Sequence, residues 1–116
     1  MANMARPFAS ISIDVDTLAS IYKGQGLTRP GGYTYLEFRT GMENMTLFFE
    51  KWNIKATLFM VGNDFKQAGN VPVIRAMHQA GYEIANHSMN HPQGFRWLPE
   101  PEKEAEITAM GAICKQ

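Results

Sequence analysis

Phe8 to Val15, Phe-Ala-Ser-Ile-Ser-Ile-Asp-Val, alternates apolar and polar positions and is rich in β-formers. The pattern predicts a first strand that carries Asp14 and Asp16 to its C-terminal end. Thr17 to Tyr33 follows, punctuated by Gly24, Gly26, Pro30, Gly31 and Gly32. These residues predict a long loop, of the kind that is often functional in compact domains. From Tyr35 to Trp52 the apolar residues Phe38, Met42, Met45, Phe49 and Trp52 recur at steps of four and three. That is one face of an amphipathic helix, interrupted only mildly by Gly41. A stripe of methionines and aromatics at this spacing reads as core packing rather than as a ligand box.

Ile54 to Gly62, IKATLFMVG, is a nearly continuous apolar run. It predicts a second strand covered on both faces, as in a parallel sheet. Val73, Ile74, Met77 and Ala80 lie at helical spacing within Val71 to Ala80, and Gly81 supplies the stop. Tyr82 to Ala85 predicts a short third strand that runs directly into Asn86-His87-Ser88-Met89-Asn90-His91-Pro92. A last helix begins near Pro101 and carries Ile107, Met110 and Ile113. Glu102, Glu104 and Glu106 stand near its N-terminus, where the helix dipole favours acids. Strand followed by helix, three times over, predicts an α/β fold with parallel strands and helical crossovers. No linker divides the 116 residues, so one domain is expected.

Composition narrows the function. Hydrophobic residues make up 45% and charged residues 19%, a globular balance. Eleven basic residues offset eleven acidic ones without forming a basic patch, which argues against a nucleic-acid partner. Cys114 is the sole cysteine, so no internal disulfide forms, and it reads as a small buried hydrophobe. The opening stretch MANMARPFASISIDVD has only a short apolar run before Asp14, which does not match a secretory leader. No run approaches the roughly 18 apolar residues of a membrane span. A cytoplasmic protein without a membrane partner is the expectation.

Asp14 and Asp16 at one strand end, and His87 and His91 past another, bring four titratable groups to the C-terminal rim of a parallel sheet. Ligands and catalytic groups collect at that rim. Two imidazoles and one carboxylate are a common catalytic metal set, and a spare carboxylate suits the base that hydrolysis requires. The bland alternatives are an Asp-x-Asp that only anchors a loop and a His pair without metal. His78, inside the predicted second helix, reads as structural or solvent-exposed. Gly24-Gln25-Gly26 and Pro30-Gly31-Gly32 follow no phosphate-loop pattern.

Ser12-Ile13-Asp14-Val15-Asp16 resembles the first motif of the polysaccharide deacetylase (NodB-homology) family of carbohydrate esterases, in its Asp-x-Asp variant. His87-Ser88-Met89-Asn90-His91-Pro92 matches the second motif, His-Ser/Thr-x-x-His-Pro, at every specified position. Lys55 to Gly62 and Ala80 to His87 resemble the family's second strand and the approach to its histidines. The resemblance runs from about residue 8 to 116. It implies the N-terminal three βα units of a distorted (β/α) barrel with fewer than eight strands. The implied chemistry is removal of acetyl groups from N-acetylated carbohydrates, or hydrolysis of small amides and other non-peptide C–N bonds. Carried over by motif, Asp14 is the general base, while Asp16, His87 and His91 hold a divalent metal, most simply zinc. The commoner first motif has adjacent aspartates, and Val15 stands where the second would be. The motifs that supply an arginine, an oxyanion-side aromatic and a histidine general acid fall beyond residue 116. The sequence thus resembles a truncated domain, for which self-association is expected.

Two other readings stand beside the hydrolase. One is a non-catalytic metal-binding or interaction fragment of the same fold. The other is an ordinary α/β domain with structural histidines.

Overall fold

The computed structural model describes residues 6–67 and 69–116. The first five residues of the opening stretch, on which the leader reading partly rested, lie outside the described residues. Three short strands form one parallel sheet: β1 Ser12–Val15, β2 Thr57–Met60 and β3 Glu83–Asn86, in the order β1-β2-β3. The register pairs Asp14 with Phe59, and Phe59 with Ala85. Strands β1 and β2 are shorter than the apolar runs that predict them, whereas β3 keeps the expected four residues and is displaced by one. A strand extends only where a neighbour completes its ladder, and β1 meets its partner first at the Ser12–Thr57 pair. Phe8 is fully exposed.

Four α-helices connect and flank the strands: α1 Leu18–Gly24, α2 Tyr35–Lys51, α3 Asn70–Gln79 and α4 Glu100–Cys114. Helix α1 corrects the expectation of a continuous loop from Thr17 to Tyr33. The run Leu-Ala-Ser-Ile-Tyr-Lys contains no breaker, and the Thr17 hydroxyl caps it by accepting from the Ser20 N–H at 3.2 Å. The glycines take over only from Gly24 onward. Turns of 3-10 helix at Gly62–Lys66 and Phe95–Trp97 complete the chain.

The core lies on one face of the sheet. Leu58 and Met60 pack there with Phe38, Met42 and Phe49 of α2, Ile74 and Met77 of α3, and Met110 of α4. Ile13, Val15 and Ile84 join its margin. Each fully buried side chain such as Leu58 or Met110 contributes about 1.5–3 kcal/mol. The second strand is therefore not covered on both faces. Thr57 and Phe59, on the opposite side from Leu58 and Met60, are only half-buried. Trp52 leaves the predicted stripe: it caps the end of α2 and is 60% exposed. Cys114 is exposed rather than buried, because it stands at the last residue of α4, where little packs over it. Among the described residues no helix is long and apolar enough to cross a membrane.

Candidate metal centre

Strand alternation places Asp14, Phe59, Ala85 and His87 on the face turned away from the core. Asp16 follows the end of β1, and His87 follows the end of β3. The His87 N–H donates to the Met60 carbonyl at 3.0 Å, which extends the ladder by one residue and fixes the imidazole at the rim. Ser88 then turns the chain with φ of 64°, and His91 has φ of 52°. Left-handed backbone costs a non-glycine residue about 1–2 kcal/mol, so neighbouring contacts must hold it.

Those contacts are present. The Asn86 side-chain oxygen accepts from the Ser88 N–H at 2.9 Å, and the Ser88 hydroxyl oxygen accepts from the His91 N–H at 3.0 Å. The Gly62 and Asn63 N–H groups donate to the Ser88 and Met89 carbonyls, both at 2.9 Å. The Met89 N–H donates to the Glu106 carbonyl, and Asn90 donates from its backbone and its amide to the Glu106 carboxylate. The serine of the histidine motif therefore shapes the turn that returns His91 beside His87, whose ring centroids lie 4.7 Å apart.

Asp16, His87 and His91 come together. Each offers one ligand atom within 4.8 Å of the others. Asp16 Oδ1 lies 3.5 Å from His87 Nε2 and 3.7 Å from His91 Nε2. Two ligand atoms bound to one zinc at about 2.0–2.1 Å in tetrahedral array stand about 3.4 Å apart, so the three groups are spaced for a shared cation. Asp16 Oδ1 and His87 Nε2 are also buried without a hydrogen-bond partner. A buried polar atom left so costs about 1–3 kcal/mol, which a cation between them would relieve. The donor set fits a divalent metal.

Asp14 is exposed, outside the three-residue cluster but one alternation from Asp16 on the same face. Both aspartates line a cleft of about 460 Å³ with Thr17, Arg29, Tyr33 and Glu37. His78 is exposed on α3 and lines a different cleft, with Ile84 and Ile113.

Two residues that contact the site's turns escaped the sequence reading. Glu106 was legible only as one of the acids favoured near a helix N-terminus, yet it clamps the turn between the two histidines. Asp64, in the 3-10 turn after β2, is 3% exposed and lies next to Thr17, with Oδ1 3.4 Å from the Thr17 hydroxyl. Burial pushes its carboxyl up to about 6, the Asp16 charge adds to the rise, and the Thr17 and Ser20 hydroxyls oppose it. Its signal was positional: an acid just past a strand C-terminus, at the same rim.

The polysaccharide deacetylase family model matches residues 28–116. The chain is also 39% identical over 51 residues to the uncharacterized protein YlxY of Bacillus subtilis (strain 168). That stretch is 44% of this chain and 15% of YlxY, so the chain spans a small part of that relative. No solved structure matches the chain. The family match covers most of the sequence, including the histidine motif and the turn around it, and the chain belongs to the polysaccharide deacetylase family.

Proposed function

We propose that the chain carries the metal-binding part of a hydrolase that removes acetyl groups from N-acetylated carbohydrates or cleaves small amides at non-peptide C–N bonds. The observation that supports it best is the Asp16, His87 and His91 cluster, with two of its ligand atoms buried and unpartnered. Two histidines and a carboxylate suit zinc, with positions left for water and substrate. When bound, the metal supplies Lewis-acid polarisation of the scissile carbonyl and lowers the pKa of the attacking water.

The chain's own residues divide the remaining work. Asp14, exposed and lining the same cleft as Asp16, takes the proton from the attacking water. The turn held by Ser88 and Glu106 keeps His91 aimed at the cluster. The exposed strand face, with Phe59 half-buried beneath His87, becomes the interior wall of a distorted (β/α) barrel of which these are the N-terminal βα units. The leaving amine needs a proton donor, and His78 lies elsewhere on α3. That observation favours the alternative of a metal-binding unit that is not catalytic by itself.

Acetate release from N-acetylglucosamine oligomers, with added zinc, tests the enzyme. Activity that disappears in Asp14→Asn while metal content stays near one equivalent is the expected result. Metal loss in Asp14→Asn would reverse the assigned roles of the two aspartates. Metal binding without acetate release favours the non-catalytic alternative.

A further inference from the structure

Asp64 is one of two buried polar residues in the described chain, the other being Asn70. A buried carboxylate is costly unless something is gained from it. Its backbone is fixed from both sides. Its N–H donates to the Val61 carbonyl at 3.0 Å, and its carbonyl accepts from the Asn70 amide at 2.8 Å. Asn70 in turn accepts the Tyr33 hydroxyl. The side chain reaches the β1–α1 turn, where Oδ1 lies 3.4 Å from the Thr17 hydroxyl, whose proton Asp64 shares with Ser20 Oγ at 3.0 Å. Thr17 follows Asp16 directly, and its oxygen caps α1 through the Ser20 N–H.

A set of contacts thus runs from the end of β2 through Asp64 to Thr17, the residue beside Asp16. Asp16 lies beyond the last residue of β1, where the sheet ladder no longer fixes it. We infer that Asp64 is a positioning residue: by anchoring Thr17 it sets the orientation in which Asp16 presents Oδ1 to His87 and His91. The inference rests on the metal reading of that cluster. Asp64 lies outside the group of three ligand atoms. Its raised carboxyl pKa agrees with a group held where burial outweighs solvation.

Cobalt(II) binding by the 116-residue chain tests this, with affinity read by competition against a chelating indicator and geometry read from the visible d–d bands. Groups that orient metal ligands typically change metal affinity by about 10–100-fold when removed. Asp64→Ala is expected to weaken cobalt binding by about that factor and to alter the d–d spectrum. Asp64→Asn keeps an acceptor for Thr17 and is expected to restore the wild-type spectrum. Thr17→Val is expected to reproduce the loss, and the double variant to be no worse than either single one, because both cut the same connection. A purely structural Asp64 would lower the melting temperature of Asp64→Ala while leaving cobalt affinity and spectrum unchanged, and that result overturns the inference. If Asp64→Ala does not fold, unchanged cobalt binding in Thr17→Val overturns it equally. A wild-type chain that takes up no cobalt overturns the metal reading, and this inference with it.

Discussion

Asp64 carries a pH dependence whose sign follows from its burial. The carboxyl is raised from 3.8 to about 6 in the folded chain, so the fold prefers it protonated. A folded pKa above the unfolded one gives stability that is complete below the unfolded value and is lost as pH rises through the folded value. Metal-free protein should therefore lose stability between about pH 4 and about pH 7, where charging Asp64 in place becomes unfavourable. Asp64→Asn removes this contribution. Urea midpoints across that window should fall in the wild type relative to Asp64→Asn. Parallel pH profiles for the two proteins would contradict the burial argument.

The elements that position the centre approach each other closely at Gly62. Gly62 donates to the Ser88 carbonyl, and a Cβ added at Gly62 would lie 3.1 Å from the Met89 Cα and 3.2 Å from the Met110 sulfur. Gly62→Ala is expected to destabilise the fold by about 1–3 kcal/mol through overpacking. It should also loosen metal binding, because the displaced turn carries His91. Thermal unfolding with and without zinc checks both effects, and wild-type behaviour in both would show that the approach is unimportant. The elements differ in how far the sequence revealed them. Helix α2 was legible from Phe38, Met42 and Phe49, since a 3.6-residue period survives any context. The ends of β1 and β3 were legible because Asp16 and His87 interrupt apolar runs. Helix α1 was hidden because its apolar residues Leu18 and Ile21 face outward at 48% and 43% exposure, giving no core stripe to recognise. The placement of Asp64 and Glu106 beside the site was hidden because it depends on contacts to Thr17 and Asn90, far away in sequence.

At the scale of the whole molecule, parallel order and the convergence of strand ends were predictable, whereas which sheet face stays open was not. Periodicity reports how many residues are apolar, not which neighbours arrive to cover them. The open face and the outer edges of β1 and β3, unpaired among the described residues, are accompanied by exposed Leu36, Leu47, Phe48 and Trp52 along and just beyond α2. Such surfaces favour association. Light scattering coupled to size exclusion should give a mass that rises above the monomer with concentration, and a strictly monomeric chain would contradict this. The central claim, that Asp16, His87 and His91 form one metal site, has a more direct test. Elemental analysis of protein purified without chelators should find one equivalent of divalent metal, most simply zinc, in the wild type. His87→Ala and His91→Ala, folded by circular dichroism, should each lose it. Metal retained in full by both variants, or absent from the wild type after incubation with zinc, would contradict the account.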